Sequence, residues 1–393
     1  MKIRLLSLII FIFCGLTLYS QDLTVEVQAD TLNNESINDT FQIPFSPDLE
    51  EFYQYAQADS IMRLAIVLSD IYSKKDMEFT RGFLMGVKKS SLPENSISLK
   101  IINGEIPEDS LKYELEIFEP HVIFDTFEKD APRQLLTYTQ VHNNKLIKVF
   151  DAKGDEFRYN TGVYQLLAPS ETFTASLTRY FMDNYEGNTL FIIGDPDPTE
   201  QIMRDLILAW PEEELLIANV EDLPKLTLDS SVNYLVMPVA TSNKEVKEVL
   251  TEIVRMISEV PGAGVRIIGR PNWIAFNDLN SMISNLEVFI PSKCYFEPSS
   301  DSGKKFISDY NALFSHTPIR SYPVYAVMGY DAASYLLPGL ISELKGNPYE
   351  WQPANLLQSY FNFNKSGWAG YYNSGSFILH FEPWGTMTKE KLN

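Results

Sequence analysis

The chain has 393 residues, 45% of them hydrophobic and 13% aromatic, which is ample material for two packed domains of ordinary size. Its formal charge of −20 argues against nucleic acid or an anionic membrane as the main partner. Cysteine is present only at Cys14 and Cys294, so no disulfide framework supports the fold and a hydrophobic core must do so.

Lys2 and Arg4 precede an apolar run from Leu5 to Leu16, followed by Leu18-Tyr19-Ser20. That layout predicts a secretory signal peptide over 1–20, cleaved near Ser20, and a periplasmic or otherwise exported protein. The run is shorter than the roughly 20 residues a membrane-spanning helix needs. Cys14 offers lipid attachment as an alternative, but Phe13 stands where a small residue is expected. Cleavage leaves Cys294 alone. Residues 21–58, with stretches such as DTLNNESINDT, are polar and lack apolar periodicity, and read as a flexible acidic tether.

From Arg63 onward, short β-branched runs alternate with amphipathic stretches of helical length, the pattern of parallel sheet joined by helices. The predicted strands are RLAIVLS (63–69), SISLKII (96–102), HVIFD (121–125), KLIKVF (145–150), TLFIIG (189–194), ELLIAN (214–219), NYLVMP (233–238), VRIIG (265–269) and LEVFI (286–290). Helices are predicted for DMEFTRGFLMGVKKS, SETFTASLTRYFMDNY, TEQIMRDLILAW and NKEVKEVLTEIVRMI. In the last, Val246, Val249, Leu250, Ile253 and Ile257 share one face. So many strands exceed the usual width of one compact sheet, and two sheets are expected. Polar or Pro-containing loops follow several strands, where open α/β sheets collect ligands.

Three segments carry a family resemblance. RLAIVLSDIYSKKDMEFTRGFLMGVKK is similar to the opening unit of the type I periplasmic solute-binding proteins of the Leu/Ile/Val-binding class, receptors of amino acid and amide ABC transporters. GVYQLLAPSETFTASLTRYFMDNYEGNTLFIIGD resembles that family's passage into its second lobe. KKFISDYNALFSHTPIRSYPVYAVMGYDAASYLL resembles its pattern of aromatics before a proline and then Gly-Tyr-Asp-Ala, here Gly329 to Ala332. The likeness runs from Arg63 to about Gly385, weakly between these anchors. It implies two Rossmann-like α/β lobes with parallel sheets joined by a three-crossover hinge, which closes on a ligand. Carried onto this chain, lobe one holds 59–160 plus 292–365 and lobe two holds 161–291 plus 366–393, with a C-terminal strand around Ser376 to Glu382.

The same resemblance implies candidate ligand-binding residues. On lobe one it points to the loop holding Ser69, Tyr72 and Ser73 and the loop holding Asp125 and Thr126, where the family meets a ligand carboxylate with hydroxyl and backbone groups. The second loop departs from the family's Gly-Pro or Gly-His followed by serines, since this chain has Phe124-Asp125-Thr126-Phe127-Glu128. Two acids there would repel a carboxylate. On lobe two the candidates are Asp195, Thr241, Ser242, Glu245 and Trp273. Asp195 or Glu245 suits a ligand ammonium, although Asp197 and Asn243 with their followers also read as helix starts. Tyr72, Tyr322 and Tyr325 are the aromatics expected to stack on a ligand. Tyr330 and Asp331 read as core packing and capping, and Trp273 as either a cleft wall or surface packing.

No H-E-x-x-H, G-x-S-x-G, Walker loop or spaced Cys/His cluster occurs, and His121, His142, His316 and His380 are scattered. PGAGVRIIG precedes a strand and so lacks the context of a dinucleotide fingerprint. The sequence therefore predicts a non-enzymatic protein without cofactor or metal. Two functions follow: an exported receptor that captures a small polar ligand, such as an amino acid or amide, for an ABC permease, or an envelope protein-interaction module on the same fold, like the lipoproteins that activate peptidoglycan synthases.

Overall fold

The computed structural model describes residues 24–27, 40–41, 61–90, 92, 96–128, 132–150, 160–196, 200–345, 351, 354–365, 370–383 and 385–392. The chain divides into two compact units, Met1–Leu167 with Tyr295–Asn373 and Ala168–Cys294 with Ser374–Asn393. Neither unit is continuous in sequence, and the chain passes between them at 167/168, 294/295 and 373/374.

In chain order the strands of the first segment are β1 (Thr24–Val27), β2 (Thr40–Phe41), β3 (Met62–Leu68), β4 (Ile97–Asn103), β5 (Val122–Asp125), β6 (Lys145–Lys148) and β7 (Val163–Gln165). Its helices are α1 (Lys74–Lys89), α2 (Glu108–Phe118) and α3 (Arg133–His142). The second segment brings β8 (Thr189–Ile193), β9 (Leu215–Ala218), β10 (Asn233–Pro238), β11 (Gly264–Ile268) and β12 (Val288–Ser292). With them come α4 (Ser170–Tyr185), α5 (Gln201–Ala209), α6 (Asn243–Glu259) and the short α7 (Asn280–Ile283). The chain then returns with α8 (Asp301–Phe314), α9 (Tyr325–Leu344), β13 (Ala354–Asn355), β14 (Tyr360–Phe361), β15 (Phe363–Lys365) and β16 (Tyr371–Asn373), and ends with β17 (Ser376–Phe381) and β18 (Met387–Leu392).

Unit 1 is built on a sheet ordered β15-β16-β7-β6-β5-β3-β4-β1-β2, and β13 pairs with β14 beside it in sequence. The central strand β3 is parallel to both neighbours, with Leu64 opposite Leu99 and Val122. A strand covered on both faces must be apolar on both. Successive residues of β3 meet this by alternation: Leu64, Ile66 and Leu68 join one core with Phe79, Phe83 and Phe124, while Ala65 and Val67 join another with Ile102, Leu111 and Leu115. Burying each large side chain of this kind is worth about 1.5–3 kcal/mol.

The first core is closed by α1 packed against α9. At Gly82 an added Cβ would sit 1.7 Å from the Ala326 carbonyl oxygen, and at Gly329 it would sit 2.0 Å from the Phe79 carbonyl oxygen. The two helix backbones touch, and only glycine permits that approach.

The tether expected over 21–58 gives way at two places. Thr24–Val27 pairs in parallel with β4, from Thr24 opposite Ser98 to Val27 opposite Ile101, and Thr40–Phe41 pairs antiparallel with it. The edge of β4 offers unpaired N–H and C=O groups, and the alternating, β-branched Thr24-Val25-Glu26-Val27 can take them up. The rest of 21–58 and the expected signal peptide lie outside the described residues. The family resemblance assigns 161–167 and 366–373 to lobe two and 292–294 to lobe one, whereas 292–294 fall in unit 2. β7 and β16 instead pair with one another in the first sheet, Tyr371 opposite Tyr164, which keeps both with unit 1.

Unit 2 carries a sheet ordered β18-β17-β12-β11-β10-β8-β9. Its five strands from β8 to β12 are parallel, and β17 and β18 add antiparallel at one side. Helix α6 buries Val246, Val249, Leu250, Ile253 and Met256, the predicted stripe with Met256 added and Ile257 half-buried. Among the described residues, no helix is long and apolar enough to cross a membrane.

Candidate functional site

Ser69 and Thr126 are brought together at the carboxyl ends of β3 and β5, where the sequence placed the carboxylate-binding loops. What they meet is a side chain of the protein itself. Asp76, in the first turn of α1, is fully buried, and its Oδ2 accepts hydrogen bonds from Ser69 Oγ at 2.8 Å, Thr126 Oγ1 at 2.9 Å and the Asp70 N–H at 3.1 Å. The Ser69 N–H in turn donates to Thr126 Oγ1 at 2.9 Å. The other carboxylate oxygen, Asp76 Oδ1, accepts no hydrogen bond and lies 3.9 Å from Lys75 Nζ.

Local sequence explains this placement. Ser73 caps α1, its Oγ accepting from the Asp76 N–H, and the acid in the first turn suits the positive end of the helix. Asp76 precedes Phe79 and Phe83 by three and seven residues, so it shares their inward face. The hydroxyl and N–H groups that could hold an incoming carboxylate are thus engaged by an internal one.

Asp125 is consumed in a second internal arrangement. It is fully buried, its Oδ1 accepts the Phe127 N–H at 2.8 Å, and its Oδ2 lies 3.5 Å from Nζ of Lys148, which is also fully buried. The expected ligand role of Asp125 fails on this geometry, because no face of the carboxylate reaches solvent. Above it, Lys75 pairs with exposed Glu128 at 2.9 Å and lies over the Phe150 ring at 4.6 Å from its centroid. Tyr325 packs edge-on to Phe150 with centroids 5.3 Å apart. Burial pushes the Tyr325 hydroxyl pKa up, and the carboxylates of Glu128 and Asp76 push it further. Tyr72 and Tyr322 are exposed.

Comparisons with solved structures place this architecture. LpoA from Haemophilus influenzae superposes with a TM-score of 0.57 at 12% identity, covering 89% of this chain and 62% of that one. A protein described as a branched-chain amino acid ABC transporter from Rhodospirillum rubrum gives 0.56 at 10% identity, covering 83% and 98%. The branched-chain amino acid ABC transporter periplasmic ligand-binding protein of Burkholderia xenovorans gives 0.51 at 10%, covering 84% and 95%. This chain has the type I periplasmic-binding-protein fold. It spans about 62% of the length of LpoA. No family model matches the sequence. No curated protein matches it either.

Within the periplasmic-binding-protein fold of this chain, the unit 2 candidates divide into caps and core. Glu245 and Ser242 form a capping box at the start of α6, with Glu245 Oε2 accepting N–H groups from Ser242 at 3.1 Å and Thr241 at 3.3 Å. The bond from the Ser242 N–H is the main reason the Glu245 carboxyl lies below its usual range. The capping reading accounts for this pair. Asn272 Nδ2 donates to the Thr241 carbonyl at 2.7 Å and ties the two loops together. Trp273, expected at a cleft wall or packed on the surface, is instead fully buried, donates to the Ala240 carbonyl at 3.3 Å and lies against Gly269, where a Cβ would come 2.8 Å from the indole. No ring face is left for a ligand. Asp195 is exposed after Gly194, and Asp197 lies outside the described residues.

Asp331 also departs from simple capping. It is fully buried in α9 and accepts N–H groups from Leu357, Gln358 and Ser359, each at 2.9 Å, so it holds the loop that leads to β14. Burial pushes its carboxyl up to about 6, against the pull of those bonds. Sequence reasoning missed Asp76 altogether, although its spacing to Phe79 and Phe83 was visible. Among the described residues, no group of three or more His, Cys, Asp or Glu could hold a metal ion.

Proposed function

We propose that this chain is an exported, non-enzymatic envelope protein that uses the periplasmic-binding-protein fold to engage a protein partner, in the manner of peptidoglycan-synthase activators, instead of capturing an amino acid for uptake. The observation that carries this reading is Asp76. Its carboxylate takes the hydroxyl donors of Ser69 and Thr126, and a second carboxylate brought to the same donors would face like charge in a buried setting. The loop after β5 offers Phe127 and Glu128 where a hydroxyl-rich turn would be needed. Export with cleavage near Ser20 belongs to the same proposal.

The rival reading, a receptor that passes a small polar solute to an ABC permease, draws support from Tyr72 and Tyr322, two aromatic side chains that are exposed. Titration calorimetry of the signal-free protein with the common amino acids, their amides and short peptides separates the two. The proposal expects no saturable heat from any α-amino acid. A Kd below about 10 μM for leucine, isoleucine, valine or another amino acid would overturn it and establish the receptor.

A further inference from the structure

The sheet of unit 2 ends at β9, which pairs with β8 and has no strand on its other side among the described residues. Such an edge carries open N–H and C=O groups and is normally covered or blunted. Here Leu216 is 37% exposed, Ile217 48% and Val220 just beyond the strand 38%. Consecutive side chains of a strand point to opposite faces, so exposure of both Leu216 and Ile217 leaves the edge uncovered on each face. The Gly194 N–H donates to the Ala218 carbonyl at 2.8 Å, which turns the backbone of Ala218 toward β8. Ile217, one residue away, therefore turns its N–H and C=O to the open side.

Charge frames this edge. Glu212, Glu213 and Glu214 stand directly before β9, and Glu221 and Asp222 follow it after Asn219 and Val220, while Lys225 is the only cation from 205 to 225. These carboxylates act within about one Debye length (~10 Å at 0.1 M salt) of a strand laid along the edge. They would repel the same edge of a second copy. They would attract a chain whose charge is opposite.

The geometry points to β9 as a docking edge for an extended segment of a partner protein, with a β-branched apolar centre and Lys or Arg on both sides, added to the sheet as its next strand. In this mode main-chain hydrogen bonds supply affinity and the alternate side chains, here against Leu216 and Ile217, supply selectivity. The inference rests on the reading that the protein binds another protein, and it names where and by what chemistry.

Fluorescence anisotropy with labelled peptides tests it on the signal-free chain. KKVTVTVKK should bind saturably and weaken as salt rises, whereas EEVTVTVEE and the proline-broken KKVTPTVKK should bind at least tenfold more weakly. Ile217→Pro removes the outward N–H without touching the bonds to β8, and should weaken KKVTVTVKK at least tenfold. If that variant misfolds, the triple change Glu212→Lys, Glu213→Lys and Glu214→Lys serves instead, and should shift preference toward EEVTVTVEE. Binding that ignores both variants, equal binding of KKVTPTVKK, or no saturable binding of any peptide would overturn the assignment. A photo-crosslinked envelope partner that survives Ile217→Pro would refute the β9 site while leaving the protein-binding proposal standing. Amino-acid binding by calorimetry would refute that proposal itself.

Discussion

Replacing Asp76 with alanine removes the acceptor on which two hydroxyls and one backbone N–H converge. Hydrogen bonds to a charged group are worth about 1.5–3 kcal/mol each, and three of them share one oxygen, so their sum overstates the loss. Breaking a buried charged network by removing one member costs about 3–5 kcal/mol, and the acid's favourable place at the head of α1 adds a few tenths. The expected loss is therefore about 3–5 kcal/mol, read by urea unfolding, with hydrogen exchange placing the loosened amides in 62–90 and 122–128. A double-mutant cycle with Thr126→Val should give a coupling of about 1–3 kcal/mol. Because the donors remain, formate should partly restore the variant, by about 1.4 kcal/mol at ten times its Kd, and leave the parent protein unmoved. A loss below about 1 kcal/mol, or no coupling to Thr126, would refute the view that Asp76 occupies these donors.

Two further outcomes follow from buried charges. Lys148→Met removes the buried ammonium beside Asp125 and should cost about 3–5 kcal/mol in thermal unfolding, largely recovered when Asp125→Asn is added; an effect under about 1 kcal/mol would mean the pair is not coupled. Asp331 has its folded pKa raised to about 6, above the ordinary carboxylate value, so the folded state holds the proton longer and stability falls as pH rises from about 4 to 6. Between pH 5 and 7 this group should remove about 1 kcal/mol, and the decline should vanish in Asp331→Asn when both proteins are unfolded across that range.

Much of the architecture could be read from residue order because it is written in period and punctuation. RLAIVLS and NYLVMP are largely apolar runs followed by polar loops, and both form inner strands of their sheets. β7 and the strands from β13 to β16 have only two or three residues each, too short to carry a period. β1 was hidden by its polar surroundings. The site was legible only in part. Ser69 and Thr126 were found as a pair of loops, but the partner that defines their chemistry looked like an ordinary first-turn acid. Glu245 illustrates the reverse, since ligand contact and capping call for the same residue type and only the bonds from the Thr241 and Ser242 N–H groups decide. Trp273 could face solvent or core with equal ease until its burial was known.

The backbone contact between α1 and α9 has a consequence for the order in which the protein takes shape. Gly82 and Ala326, which meet there, are separated by most of the intervening chain, including every residue of the second segment. The apolar side of β3 and α1 therefore stays open until residues of α9 have been synthesised. Strands β8 to β12, by contrast, follow one another in sequence and complete their parallel run before α9 exists. The half of the molecule encoded second can thus gather first, while the half encoded first waits for a distant helix, a sequence of events set by contacts far apart along the chain.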